Sequence, residues 1–195
     1  MSVKAAVIFA LYWELRPFAK RLNIGFFGSL APVIYSGEYD IVIARSGMGA
    51  ERSEKTAERV IGEYKPDLII SAGFCGALVD ELKIGDVIVS DLKDRKLFCS
   101  PKPLFTCEEK TAAFHKEGAI VVDMESSGVA EAAAKAGTRY LAVKAVSDTL
   151  LEELPRSLLG FFSVPRLLRF RDASQKASKN LSEFLLEYIK KGENK

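Results

Sequence analysis

Five largely apolar runs, each stopping at a short polar or glycine-containing segment, constrain this chain more than any other feature. Val3–Leu11, Tyr39–Ala44, Leu68–Ala72, Ala119–Val122 and Arg139–Ser147 each read as a buried strand, because runs of this kind suit a sheet covered on both faces. Helical patterns lie between most of them. Tyr12–Arg21 puts Leu15 and Phe18 on one side with Leu22 just beyond, and a second helix follows Arg45–Arg52 and runs to about Tyr64. A small-residue helix spans Ser126–Ala136. A last helix over about Pro165–Lys191 carries Leu168, Ala177, Leu181, Phe184, Leu185 and Tyr188 along one packing face. Val33–Ser36 pairs with Tyr39–Ala44 around Gly37 as a hairpin, and Lys83–Ser90 is a turn followed by a strand. Residues 91–118 are the least regular stretch, with a short strand expected at Leu104–Thr106 and a short helix at Glu108–Lys116. Pro155 and Pro165 break up the stretch before the last helix. Strands alternating with helices predict an α/β fold, a mixed central sheet with helices on both faces, in one domain over residues 1–195.

The polar residues fall where such a sheet would place a ligand. Glu14, the Ser46–Gly49 turn, the Gly73–Gly76 segment, Met124-Glu125 and Ser147-Asp148 each follow an expected strand. Open α/β sheets bind ligands at strand ends, so these five segments are expected to line one pocket. Each also has a simpler reading. Asp123 and Glu125 stand at the start of a helix, where carboxylates favour the dipole and cap free N–H groups. Glu14 sits in a first helical turn as a surface acid would. Gly47-Met48-Gly49 lacks a third glycine, since Arg52 stands there. It therefore fails as a dinucleotide fingerprint but stands as a turn that lets backbone approach a ligand. Gly73-Phe74-Cys75-Gly76 reads as a second glycine loop.

Composition removes several function classes. The 195 residues are 48% hydrophobic and 28% charged with a net charge of +2, a balance without the basic footprint of a nucleic-acid binder. Arg166, Arg169 and Arg171, with Lys190 and Lys191, read as solvated helix faces. No apolar stretch reaches spanning length, and the N-terminus lacks a cleavable leader pattern. Three cysteines without such a leader point to a reducing cytoplasm. Cys99, Cys107 and His115 lack the close pairs of a zinc site, so no metal or other cofactor is expected.

Val122-Asp123-Met124-Glu125-Ser126, followed by an alanine-rich helix, resembles the ribose-binding segment of the purine nucleoside phosphorylase and nucleosidase superfamily. Other segments agree in order. Ala10-Leu11-Tyr12-Trp13-Glu14 resembles the strand end whose acid activates water in the nucleosidases. Ser46-Gly47-Met48-Gly49 is similar to their Ser-Gly-Ile-Gly turn, and Ala72–Ala77 followed by Leu82–Ser90 to a glycine loop and strand. Ala145-Val146-Ser147-Asp148 resembles the segment whose aspartate protonates the leaving purine. The nearest resemblance is to methylthioadenosine/adenosylhomocysteine nucleosidases, and the C-terminal half is also similar to a hopanoid-associated branch. The resemblance implies a three-layer α/β/α sandwich of the phosphorylase/hydrolase kind, cleaving the N-glycosidic bond of a purine nucleoside. It implies Glu14 and Asp148 as catalytic residues, and Ser46, Gly47, Gly73, Phe74, Met124, Glu125 and Ser147 as substrate-binding residues. A homo-oligomer is implied as well. Phosphate is the alternative nucleophile, but Ser71 stands where phosphorylases carry an arginine, which favours water. The chain departs from the nucleosidases in the short Asp91–Gly118 region, which holds no clear base-stacking aromatic. Phe74 and Phe105 are the candidates, although such a residue is more often simply core.

Overall fold

In the computed structural model, which describes residues 3–24, 33–91, 93–154 and 164–192 (only the backbone course for 33–35, 164–170 and 192), the sheet grows outward from its most apolar strand. β1 (Ala5–Phe9) is buried at every position. It lies parallel to two neighbours, β3 (Ile41–Arg45) and β4 (Leu68–Ala77), with Val7 level with Ile43 and Ile70. β2 (Val33–Ser36) folds back antiparallel on β3, placing Val33 opposite Ala44, as the hairpin reading anticipated. β8 (Arg139–Asp148) runs parallel along the other edge of β4, and β5 (Val87–Ser90) pairs antiparallel with β8. β7 (Val121–Asp123) is antiparallel to β4, and β6 (Leu97–Cys99) is parallel to β7. The result is one mixed sheet of eight strands.

Helices cover both faces, as expected. On one side α1 (Tyr12–Arg21) and α5 (Val164–Gly192) set Leu15, Phe18, Ala177, Leu181 and Leu185 against Val7, Phe9, Ile70 and Val143. On the other, α2 (Ala50–Tyr64) and α4 (Ser126–Ala136) press Ala57, Val60, Val129 and Ala132 onto Ala6, Ile8, Val42 and Ile69. Each fully buried leucine, isoleucine or valine removes enough apolar surface to stabilise by about 1.5–3 kcal/mol. α3 (Cys107–Glu117) closes one end of the sheet over Leu78, Ala119 and Val122. Leu168, expected on the packing face of α5, has its side chain outside the described residues, as do Arg166 and Arg169, and Pro155 lies outside them altogether.

Two local expectations need correction. Leu104–Thr106 is not a strand: Thr106 caps α3, its Oγ1 accepting from the Glu109 N–H while Glu109 Oε2 accepts from the Thr106 N–H. The strand of this region is β6 instead, formed because β7 offers it an edge. Gly73–Ala77 is not a loop but the second half of β4. Its glycines answer to long-range crowding rather than to a turn. A Cβ on Gly73 would lie 3.1 Å from Glu14 Oε1, and one on Gly76 would lie 2.9 Å from Asp148 Oδ2.

Small residues also let α4 approach α2 closely. A Cβ on Gly128 would fall 1.9 Å from the Ala50 carbonyl oxygen. Since neither backbone can yield cheaply, Gly128→Ala is expected to cost at least about 3 kcal/mol. A thermal melt checks this, and an unchanged Tm would mean the helices are not so close.

Candidate active site

β4 outlasts β1, and that difference in length makes the site. Pairing with β1 ends at Ala72, and pairing with β7 begins only at Gly76. The edge between them has no strand partner, yet a buried N–H must find an acceptor. The first turn of α1 supplies it. Glu14 Oε1 accepts from the Phe74 N–H at 2.9 Å, while its Oε2 accepts from the Leu11 N–H at 2.9 Å. Glu14 is therefore buried and fixed at both oxygens, not the surface acid that its position in a first turn also allowed. Burial pushes its pKa up to about 7, against the pull of Lys144 and of the two N–H donors.

β7 brings the second acid to the same place. It runs back along β4, so the chain beyond Val122 heads toward Phe74. Asp123 then caps α4: Oδ2 accepts from the Ser126 N–H at 2.9 Å and Oδ1 from the Ser126 hydroxyl at 2.6 Å. Glu125 makes no such cap. Its Oε1 accepts instead from the Gly49 N–H, 2.9 Å away at the start of α2, and Met124 lies half-buried between the two acids. Burial raises the pKa of Glu125, opposed by Lys144 and the Gly49 N–H.

The glycine turn itself is stitched to β1. The Ser46 N–H donates to Phe9 O at 2.9 Å and the Gly47 N–H to Ala10 O at 3.0 Å, while the Ser46 hydroxyl donates to Gly47 O at 2.8 Å. Gly47 and Gly49 have φ of +85° and +98°, which glycine adopts at no steric cost.

A bulge aims the third acid. Along β8, Val146 pairs with Cys75 but Asp148 pairs with Gly76, leaving Ser147 as an extra residue. The Ser147 hydroxyl lies 2.7 Å from Asp148 Oδ1, to which it donates, and Lys110 Nζ from α3 lies 2.6 Å from Asp148 Oδ2. Asp148 is buried, which raises its pKa, and Lys110 opposes the rise.

The family model described as the phosphorylase superfamily matches residues 4–94 and 92–190, nearly the whole chain. The chain belongs to the phosphorylase superfamily. Among relatives of this superfamily, the 5'-methylthioadenosine/S-adenosylhomocysteine nucleosidase of Staphylococcus aureus (strain MRSA252) is 40% identical over 52 residues, which is 27% of this chain and 23% of that protein. The matched stretch thus spans under a quarter of that relative's length. Solved structures share the fold over a far larger span. A Helicobacter pylori nucleosidase mutant with 5'-methylthioadenosine in the active site superposes with a TM-score of 0.77 at 17% identity, covering 98% of this chain and 100% of that one. Futalosine hydrolase of Helicobacter pylori strain 26695 gives a TM-score of 0.77 at 17% identity, covering 98% and 99%. The S-adenosylhomocysteine nucleosidase of Streptococcus pyogenes, bound to 5-methylthiotubericidin, gives 0.70 at 19%, covering 94% and 96%.

Of the residues singled out in the sequence, Glu14, Gly73 and Phe74 meet directly, and Glu125 joins them through the charge of Lys144, which acts on both acids. Ser147 and Asp148 stand at the bulge, beyond Gly76. The Phe74 side chain packs against the α1 and α5 core, so its backbone rather than its ring serves Glu14. Phe105 lies just before α3, its carbonyl accepting from the Leu154 N–H at 2.9 Å. Two site lysines escaped sequence reasoning. Lys144 is buried in β8, with Nζ 2.8 Å from Asp123 Oδ2. Burial disfavours its charge, but Asp123 and Glu125 outweigh this and raise its pKa. A lone lysine within Tyr140–Ser147 was the available signal. Lys110 had none, sitting among charged neighbours in Glu108–Lys116. Among the described residues no cluster of histidine, cysteine or carboxylate side chains is arranged to hold a metal, and no helix is long and apolar enough to cross a membrane.

Proposed function

We propose that the protein is an enzyme that cleaves the N-glycosidic bond of a purine nucleoside by hydrolysis, with residues 1–195 acting as one nucleosidase domain. The observation that carries this reading is Glu14, a buried carboxyl fixed in the gap of the sheet edge with a pKa pushed up to about 7. A base poised near neutrality is what activation of water requires, and a positioned acid or base is worth about 10²–10⁴ in rate. Cleavage develops positive charge on the sugar and negative charge on the departing base. Glu14 takes the proton of the attacking water. Asp148, whose pKa burial raises, gives a proton to the leaving purine. Glu125 accepts hydrogen bonds from the sugar hydroxyls and Met124 packs beneath the ring. Ser46, Gly47, Gly73, Phe74 and Ser147 shape the pocket around them. Water is preferred to phosphate because Ser71, at the position of the phosphorylase arginine, lies buried within the sheet between Ile8 and Ala142 and brings no cation.

Apolar side chains at the strand ends support the homo-oligomer. Trp13, Met48 and Leu151 are 55%, 57% and 72% exposed, after β1, β3 and β8 respectively. A second copy would cover them, and a monomer by light scattering at high concentration would remove this part of the reading. Cys75, Cys99 and Cys107 are all free thiols, in keeping with a cytoplasmic enzyme.

Glu125→Gln is expected to weaken nucleoside binding and slow turnover together, since a charged hydrogen-bond partner is worth about 1.5–3 kcal/mol. Titration and kinetics on one preparation check it, and unchanged affinity would remove Glu125 from the sugar site. The proposal as a whole is tested by base release from 5'-methylthioadenosine, S-adenosylhomocysteine, futalosine, adenosine and inosine, with and without phosphate. Phosphate-independent release is the expected result. Release only with phosphate would make the protein a phosphorylase, and saturable binding without release would make it a nucleoside-binding protein.

A further inference from the structure

Lys110 occupies a place where lysine is rare. It is fully buried, nothing in its charged sequence neighbourhood singled it out, and the chemistry assigned above does not use it. An ammonium group has three N–H donors, and three acceptors surround this one. Asp148 Oδ2 lies at 2.6 Å, Thr149 O at 2.6 Å and Glu152 O at 2.9 Å. Its hydrogen bonds go to the two carbonyls and its charge lies against Asp148 Oδ2, so the ammonium serves this chain rather than a substrate. Two of its acceptors are carbonyls of the segment that follows β8, and the third is the acid that ends β8. The other oxygen of that acid is held by Ser147, the bulged residue. One buried cation therefore ties α3, the bulge and the segment after β8 to a single carboxyl group.

We propose that Lys110 is a positioning residue for N-glycosidic cleavage, fixing the orientation of the Asp148 carboxyl and setting the charge that faces it. The proposal rests on the assignment of Asp148 as the acid that protonates the departing base. Its physical content is a balance. Burial makes Asp148 hold its proton more tightly, Glu152 adds to this from the segment after β8, and the Lys110 ammonium opposes both. Cys75 faces Asp148 from β4, and burial holds its thiol in the neutral form. Without Lys110 the acid would keep its proton to higher pH but be less well aimed. A merely structural lysine, present only to satisfy the two carbonyls, would influence stability and leave turnover per folded molecule unchanged.

The experiment is the pH dependence of kcat and kcat/KM for purine release by the wild type, Lys110→Met, Lys110→Gln, Lys110→Arg and Asp148→Asn. In the wild type, activity falls on the basic side as Asp148 loses its proton, a limb that Asp148→Asn lacks. Lys110→Met is expected to lower kcat about 10- to 100-fold with little change in KM. It is also expected to move the basic limb up by about 1–3 pH units, the usual effect of removing an opposite charge at this distance. Lys110→Gln, which keeps donors but removes the charge, should move the limb in the same direction and serves if the methionine variant does not fold. Lys110→Arg should leave the limb near its wild-type position. Wild-type turnover with a limb unmoved in whichever neutral variant folds would overturn the role of Lys110 alone. A wild-type protein that releases no base from any nucleoside would overturn the hydrolase reading, and this role with it.

Discussion

Glu14→Gln is expected to reduce phosphate-independent purine release by about 10²–10⁴-fold, because the glutamine cannot take a proton from water. Its effect on the fold has two opposing parts. The carboxylate offers two acceptors, one to the Leu11 N–H and one to the Phe74 N–H, whereas an amide offers one acceptor and turns its NH2 toward the other donor. A buried N–H left unpaired costs about 1–3 kcal/mol. Against this, the wild type bears the cost of ionising a buried acid. The folded-state pKa, about 7, lies above the ordinary glutamate value of 4.5. The penalty is therefore absent below 4.5, grows as pH rises, and is complete above about 7, where it reaches roughly 3 kcal/mol. Glu14→Gln has no such penalty. The Tm gap between variant and wild type should therefore shift in the variant's favour as pH is raised through this window. A gap independent of pH would show that Glu14 titrates as an ordinary surface acid.

Asp148→Asn is the second large effect. Asparagine can preserve both contacts, its carbonyl accepting from Lys110 and its amide donating to the Ser147 hydroxyl, so the shape of the site survives. The proton donor does not, and turnover should fall by about 10²-fold or more while nucleoside binding changes little. Substrates whose base departs without protonation should lose least. Because the Lys110 ammonium is fully buried, removing its countercharge should also cost about 3–5 kcal/mol of stability. A helix cap, the simpler role that an acid at a sheet edge can play, would predict about 1 kcal/mol and unchanged activity per folded molecule. Asp148 caps no helix, and its partners are Ser147 and Lys110. Kinetics measured beside thermal melts separate the two cases. Full specific activity in folded Asp148→Asn protein would remove the catalytic assignment.

What could be read from the sequence was whatever depends on neighbours in the chain. The start of α4 at Ser126 was legible because an apolar run, a capping aspartate and a run of alanines stand next to each other. The β2–β3 hairpin was legible for the same reason. Glycines at 73 and 76 carry a local meaning, a loop, and a different meaning across the fold, clearance for Glu14 and Asp148. Only the second is correct, and it requires knowing that α1 and β8 flank β4. β6 was missed because its three residues form a strand only when β7 presents an edge. Lys110 and Lys144 were missed because a buried lysine looks like a surface one until its countercharge, 38 residues away for Asp148 and 21 for Asp123, is placed beside it.

The central claim, that a buried carboxyl at the gap in the sheet edge activates water, is tested most directly by the pH profile of kcat/KM for purine release in phosphate-free buffer. Activity is expected to rise with pH as Glu14 ionises, with an acidic limb centred near 7. The residual activity of folded Glu14→Gln should lack that limb. A wild-type profile flat across about pH 5–8, or a limb that persists unchanged in Glu14→Gln, would contradict it.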